Sequence, residues 1–502
     1  MDKSIRIVTN DERFQYDIYS LFKAFYEKED VGIEVKADIN IKDALEQIEG
    51  EFFLIYVGKG VVAFEACEKG LISCQETERI SLDDTKRLKN NIKRIIYKNL
   101  SRHLNKELPW GTLTGIRPVK LFMKGIDSGL SDKVILDKMS EEYLLSKERS
   151  ELGLRIAHNE SNILKSLVKG RGYSLYLGIP FCPSTCLYCS FTSYPIGKYK
   201  MLVGDYLAAL KKEIDYVAAE SRKNKKILET VYIGGGTPTT LSEEELTDLI
   251  SYIKEKLDLS EVREFTLEAG RPDSITEGKL KVLKKMGVSR ISINPQTMND
   301  PTLKVIGRAH SVKEVYDAYK MARAQGFDNI NMDLILGLPG EDMPEVKKTF
   351  EAIGELEPDS VTVHSLAIKR AAGMQEYLKE NPDISLNNSA EIMDYSMNFM
   401  SKKGLEPYYL YRQKNMAGNY ENVGYSKKGC EGLYNILIIE EVQSIVACGA
   451  GTVSKRVYTD REGRPLGRIE RCDTVKDIKL YISRIDDMIA RKKLLFKEEK
   501  QG

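Results

Sequence analysis

Three of the chain's eight cysteines lie in one short stretch, Cys182-Pro183-Ser184-Thr185-Cys186-Leu187-Tyr188-Cys189, directly after the strand-like Ser174-Leu175-Tyr176-Leu177. A CxxxCxxC spacing with small, apolar or aromatic spacers puts three thiolates on one loop at the end of a buried strand. Three soft sulfur ligands without an obvious fourth suggest an iron–sulfur cluster with one iron left open. A tetrahedral zinc site would want a fourth ligand at finger-like spacing, and none of the four histidines lies near, His158 being upstream and His310 far downstream. A disulfide with a spare thiol is the third reading, although eight cysteines in 502 residues make no disulfide framework. An open iron can bind a substrate or cosubstrate, so the loop reads as chemistry rather than as a staple.

The elements that must position this loop follow a regular beat. Strand-like segments recur near 175–179, 230–233, 264–268, 290–293, 329–336 and 360–364, with helical patterns near 203–222, 242–257, 274–286, 312–325 and 343–355. Six strands alternating with helices argue for parallel pairing through right-handed crossovers. The expected fold class is α/β, a partial, TIM-like (β/α)6 barrel, and such barrels build their sites from loops at the strands' C-terminal ends.

The other chemistry-bearing residues fall at those ends. Gly234-Gly235-Gly236-Thr237-Pro238-Thr239 follows the second strand, where a glycine triplet lets the backbone approach a ligand, or simply makes a tight turn. Glu268 ends the third strand in Thr266-Leu267-Glu268-Ala269-Gly270-Arg271-Pro272, and Asn294-Pro295-Gln296 and Arg308 come after the fourth. The fifth strand contains Asp333, and the sixth leads into Leu366-Ala367. A carboxylate inside an apolar strand is costly unless paired, so Asp333 wants a partner such as Arg308 or a ligand hydroxyl. For each of these residues a capping or ion-pair role is the competing reading.

The cysteine loop, with an aromatic before its last cysteine, resembles the radical S-adenosylmethionine (SAM) superfamily. Tyr176-Leu177-Gly178-Ile179-Pro180-Phe181-Cys182 narrows the resemblance to the oxygen-independent coproporphyrinogen III dehydrogenase family, and the long N-terminal extension is most similar to its HemZ branch. The likeness covers about residues 170 to 370, and more loosely the tail. It implies a [4Fe-4S] cluster on Cys182, Cys186 and Cys189, the catalytic and metal-binding set, with SAM on the fourth iron. It also implies SAM contacts at Tyr176, Tyr188, Gly235, Gly236, Thr237, Glu268, Gln296, Arg308, Asp333 and Ala367. The set suits a zwitterionic sulfonium nucleoside, which needs carboxylates for its ammonium and ribose, a cation for its carboxylate and an aromatic for its adenine.

The implied reaction is oxidative decarboxylation of two propionates to vinyls, giving protoporphyrinogen IX in haem biosynthesis by 5′-deoxyadenosyl radical chemistry. The implied partners are a small-molecule porphyrinogen and an electron donor such as flavodoxin or ferredoxin. Two positions depart from the family: its usual histidine before Ile-Pro-Phe-Cys is Gly178, and its additional cysteine is Phe191. Two alternatives stay open, a radical SAM enzyme on another substrate and a haem chaperone. The chaperone reading expects a histidine-bearing motif after the barrel, and this chain has no histidine after His364 and no tryptophan after Trp110.

Three regions are expected: residues 1–168 as an α+β accessory domain, 169–385 as the radical SAM core, and 386–502 as a substrate-covering region. In the first, Phe52–Val57 and Val61–Phe64 read as a hairpin turning at Gly58-Lys59-Gly60, and Pro109–Pro118 reads as a connection packed on the next domain. Cys67 and Cys74 read as buried free thiols. The Tyr408–Tyr425 run covers the barrel mouth or lines a flat pocket with Arg412 and Lys414 facing carboxylates, and 474–498 reads as a charged terminal helix. A net charge of +1 with 30% charged residues gives no reason to expect nucleic acid or an acidic membrane. With no signal-like start and no apolar run of about 18 residues, no membrane span and a cytoplasmic location are expected.

Overall fold

The structure is a computed structural model that describes residues 4–26, 29–36, 51–58, 61–68, 71–79, 84–369, 373–384, 386–413 and 420–497. It divides into two compact units, Met1–Ala157 and His158–Gly502. The division expected after residue 385 therefore lies inside the second unit.

In the first unit, β1 (Ser4–Thr9), α1 (Gln15–Phe25) and β2 (Asp30–Val35) make a parallel βαβ step. The strands β3 (Glu51–Gly58), β4 (Val61–Glu68) and β5 (Leu71–Arg79) complete a sheet in the order β2-β1-β3-β4-β5. The antiparallel β3–β4 pair is the expected hairpin, with Gly58 opposite Val61, and its turn residues Lys59 and Gly60 lie outside the described residues. The side chains of Cys67 and Cys74 do too. Ile18 and Phe22 of α1 pack with Phe53, Phe64 and, from α2 (Thr85–Leu104), Ile92 and Ile96. Then come α3 (Val119–Asp127), α4 (Asp132–Tyr143) and the first part of α5 (Lys147–Leu164), whose last residues belong to the second unit. Trp110 is fully buried, and Thr112 N–H donates to Tyr143 O at 2.8 Å. That bond fastens the Pro109–Pro118 loop to α4 of its own unit.

In the second unit, β6 (Gly172–Ile179) runs into the short pair β7 (Phe181–Cys182) and β8 (Tyr194–Pro195). The six expected strands are all present: β6, β9 (Ile227–Gly235), β10 (Glu264–Gly270), β11 (Arg290–Ile293), β12 (Ile330–Leu336) and β13 (Ser360–Ser365). They lie side by side in chain order and all run parallel. Between them run α6 (Val203–Lys223), α7 (Glu243–Lys256), α8 (Glu277–Lys285), α9 (Val312–Ala324) and α10 (Met343–Leu356). The fold is α/β, as expected. Near-continuous burial along β6 and β11 is what parallel strands covered on both faces require. Reciprocal capping boxes, Ser242 with Glu245 and Ser311 with Glu314, start α7 and α9.

The tail joins this same sheet. After α11 (Ala390–Lys402), β14 (Glu406–Tyr411) and β15 (Asn422–Ser426) extend it antiparallel beyond β13. The chain then passes through α12 (Leu433–Glu440) to β16 (Ser444–Cys448), which pairs parallel with β6 at the other edge. Glu264 at the start of β10 caps α12, accepting from the Leu433 and Tyr434 amides at 2.5 and 3.4 Å. Next come β17 (Val453–Thr459), β18 (Pro465–Asp473), α13 (Ile478–Ser483) and α14 (Ile485–Phe496), so the single terminal helix expected over 474–498 is two helices broken at Arg484. Among the described residues no helix is long and apolar enough to cross a membrane.

A buried ion pair fastens the tail to the core. Lys492 on α14 donates to Glu213 on α6, with both side chains 0% exposed, and Glu213 also accepts from Tyr481 OH at 2.5 Å and Gly449 N–H at 2.7 Å. Removing one member leaves a buried charge short of its partner, at a cost of about 3–5 kcal/mol. Lys492→Met is therefore expected to lower the urea midpoint followed by circular dichroism. Lys313→Met, at the exposed Lys313–Asp317 pair, is expected to leave it unchanged.

Candidate active site

The cysteine loop leaves the C-terminal end of β6 and is held from three sides. Cys182 is buried, and Cys186 and Cys189 are partly so. From the loop after β9, Gly236 N–H donates to Ile179 O at 2.8 Å and Thr237 N–H to Phe181 O at 2.7 Å, and Thr237 Oγ1 lies 3.5 Å from Cys182 Sγ. A Cβ on Gly236 would stand 2.6 Å from Phe181 O and 2.9 Å from Cys182 Sγ, so only glycine fits there. From the segment after β11, Ile306 O accepts from Leu187 N–H at 3.0 Å and Gly307 O from Ser184 Oγ at 3.0 Å. From the end of β10, Arg271 Nη1 reaches Ser184 O at 3.1 Å, Ser184 Oγ at 2.7 Å and Cys186 Sγ at 3.8 Å.

The thiols act on one another. Burial first, then the neighbouring Cys189 and Cys186, push the Cys182 thiol up to about 11 against the opposing Thr237 hydrogen bond. Burial likewise raises Cys189, with Cys186 adding to it. Such thiols give up protons readily only to a cationic group that replaces them. Three neighbouring thiols beside a glycine cradle fit a larger group in which each sulfur takes its own iron.

A second constellation is drawn from within β6, β9, β10 and β12 and from the start of α12. The rings of Tyr176, Tyr232 and Tyr434 stack, Tyr232 and Tyr434 with centroids 4.4 Å apart and Tyr176 5.9 Å from each. Tyr232 OH donates to Glu268 Oε1 at 2.5 Å. Burial lifts the Glu268 carboxyl to about 7, despite the Tyr232 hydrogen bond and with help from the Asp333 charge. Burial works in the same direction on Asp333. There His364, whose Nε2 is 3.9 Å away, and hydrogen bonds from Asn331 (2.7 Å) and Thr362 overcome it and hold the group below its usual range. Two carboxyls in one site are thus driven apart in acidity.

The structure brings Cys182, Cys186, Cys189, Tyr188, Gly236, Thr237 and Arg308 around the loop, and Tyr176, Gly235, Glu268 and Asp333 around the second constellation. Gln296, at φ +70, is pinned to the latter by backbone bonds to Asp333 and Ile335, each 2.9 Å. Ala367 lies just beyond β13, next to Leu366, whose N–H donates to Leu336 O at 2.9 Å. The expected Arg308–Asp333 pairing is not formed. Arg308 donates to Asn294 O and faces Tyr188 and Cys186, while Asp333 takes His364 and Asn331.

Sequence reasoning missed Arg271, Tyr232, His364 and Tyr434. Tyr232 is opposite Tyr176 in the parallel register, a relation that strand alternation could have shown. His364 is one residue from the end of its strand. Tyr434 comes from the tail and carried no signal.

Gly178 has a structural reason. A Cβ there would lie 2.6 Å from Thr452 Cγ2, and its carbonyl accepts from Tyr206 OH at 2.5 Å. The turn after β16 fills the space a side chain would need. Phe191 is 71% exposed, with Lys369 Nζ 5.7 Å from its ring centre.

The radical SAM superfamily profile matches residues 176–353, from within β6 through β12 and into α10, and stops before β13. The oxygen-independent coproporphyrinogen-III oxidase-like protein HemZ of Bacillus subtilis (strain 168) is 38% identical over 482 residues, 95% of this chain and 94% of that one. The chain belongs to the HemZ family of radical SAM proteins. Radical SAM proteins bind a [4Fe-4S] cluster and S-adenosylmethionine. The heme chaperone HemW of the same Bacillus strain is 34% identical over 269 residues, 52% of this chain and 66% of that one. The solved structure of coproporphyrinogen III oxidase (HemN) from Escherichia coli aligns at 21% identity with a TM-score of 0.49, covering 64% of this chain and 70% of that one. The HemZ match runs through first unit, core and tail, whereas the HemW match covers about half of the chain.

The Glu268 shift fixes a pH dependence. Between its ordinary value of 4.5 and about 7 the folded state keeps a proton that the unfolded chain has lost, so this group's contribution to stability falls as pH rises. Glu268→Gln is expected to gain on the parent protein by up to about 3 kcal/mol between about pH 5 and about pH 8, measured as the difference in urea midpoints. A difference that does not change with pH would show that Glu268 is not held protonated.

Proposed function

We propose that the chain is an oxygen-independent coproporphyrinogen III dehydrogenase, converting two propionates to vinyls with loss of carbon dioxide to give protoporphyrinogen IX. The observation that carries this reading is the end-to-end likeness to HemZ, at 38% identity over 95% of the chain. Likeness along the barrel alone would not separate one radical SAM chemistry from another.

In this reading Cys182, Cys186 and Cys189 hold the cluster, and the residues at the strand ends hold SAM. When bound, the pair supplies a one-electron cleavage of a carbon–sulfur bond that yields a hydrogen-abstracting radical. The chain's own residues bind, orient and keep water out. Asp333, held ionised, suits a ribose hydroxyl or an ammonium. Glu268, near neutral, accepts from Tyr232 and can take either role as its proton comes or goes. Arg308, beside Tyr188 and Cys186, would supply the cation for the ligand's carboxylate. The stacked tyrosines offer an apolar wall and floor. For the substrate's propionates, Lys369 stands half-buried beside Cys189, and Arg412 is buried beside Glu421; Lys414 lies outside the described residues. Electrons would come from a small flavodoxin- or ferredoxin-type carrier, and the setting would be the reducing cytoplasm.

A second reading, a haem chaperone, is favoured by the HemW relatives and disfavoured by the lack of any histidine beyond His364. A third, the same radical chemistry on another substrate, draws on Gly178 and Phe191. Anaerobic reconstitution with dithionite, SAM and coproporphyrinogen III, followed by mass spectrometry, separates them. The expected product shows a mass loss matching two decarboxylations, absent in Cys186→Ala. Formation of 5′-deoxyadenosine with intact porphyrin would overturn the substrate, and a specific haem spectrum on titration without turnover would favour the chaperone.

A further inference from the structure

Arg271 is nearly as buried as any side chain in the second unit, at 2% exposure, and it is placed with care at both edges of its guanidinium. Nε and Nη2 grip the two oxygens of Asp273 at 3.0 and 2.7 Å. Nη1 points the other way, to Ser184 O, Ser184 Oγ and Cys186 Sγ. Its own backbone is anchored, Arg271 N–H to Ala269 O at 2.7 Å and Ser274 Oγ to Arg271 O at 2.8 Å. The cationic face nearest the thiol loop is therefore fixed, and the compensating carboxylate lies on the far side of it.

We propose that Arg271 is a positioning residue that fastens the cysteine loop through Ser184 and, with Asp273 behind it, sets the reduction potential of the cluster the loop holds. This rests on the three-cysteine reading above. Adding an electron to a thiolate-ligated cluster builds negative charge, and a fixed cation or N–H donor close to a ligand sulfur in a poorly hydrated site favours that state. The Nη1 group supplies both at Cys186. Asp273 opposes it from farther away, so the pair acts as an oriented dipole with its positive end toward the cluster. A bare fastening role would need only the Ser184 hydrogen bonds. A carboxylate gripping the opposite edge and a guanidinium nitrogen turned to the sulfur go beyond it.

The test is the cluster's midpoint potential in the full-length reconstituted protein, read by electron paramagnetic resonance during a redox titration, with iron and sulfide counted in each sample. Arg271→Gln is expected to disfavour reduction about tenfold, about 59 mV lower for one electron. Asp273→Asn is expected to move the potential the opposite way, upward. Arg271→Lys, which keeps the charge without the fork, should fall between Arg271→Gln and the parent protein. Should Arg271→Gln fail to load, the upward shift in Asp273→Asn and the intermediate value of Arg271→Lys still decide. Loaded variants with unmoved potentials, or Arg271→Gln and Asp273→Asn shifting in the same direction, would overturn the proposal while leaving the three-cysteine reading intact. A parent protein that takes up no iron would remove that reading and this one with it.

Discussion

A loop carrying three thiols has only the two-residue β7–β8 pairing as a ladder of its own, so the rest of its shape must be imposed by what surrounds it. Here the parallel sheet does this. The ends of neighbouring strands deliver backbone partners to one place, Gly236 and Thr237 from β9, Arg271 from β10, Ile306 and Gly307 from the segment after β11. Each supplies a donor or acceptor that the loop's irregular backbone would otherwise leave unmet. The closest of these contacts, Gly236 against Cys182, leaves no room for a Cβ, and it ties the glycine triplet to the cysteines more firmly than any role of either alone.

The tail extends the same logic. By pairing β16 with β6 and β15 with β13, it lengthens the sheet at both edges. It also brings Tyr434 under the ring stack and Thr452 against Gly178. The departure at Gly178 is thus a packing consequence of this tail: the histidine usual in the family would collide with Thr452 Cγ2. The Glu213–Lys492 pair, buried on both sides, then holds the turn at Gly449 in place. Residues far apart in the chain, from 178 to 492, become one support for the loop.

Much of this was legible in advance, and for identifiable reasons. Parallel strands buried on both faces are continuous apolar runs, and helices between them carry amphipathic period and capping signals, so all six strands and five helices of the core fall where the pattern put them. The residues at strand ends were legible because a barrel has one place to put chemistry. Partner choice was not. Arg308 and Asp333 are plausible partners by charge, but the backbone pins Arg308 against Asn294 and the loop, and Asp333 finds His364 across the next strand. Arg271 was hidden for a different reason: an arginine beside a proline in a turn looks like any surface cation until its neighbours are known. The tail's return to the sheet was equally hidden, because β14 to β18 are short, polar in places and paired with partners remote in sequence.

The account stands on the cysteine loop holding a cluster with one iron free for SAM. The direct measurement is the electron paramagnetic resonance spectrum of the reduced, reconstituted protein with and without SAM. A reduced [4Fe-4S] signal that changes shape when SAM is added, and is missing in Cys182→Ala, is the expected result. A cluster signal indifferent to SAM, or one that survives the loss of Cys182, would contradict it.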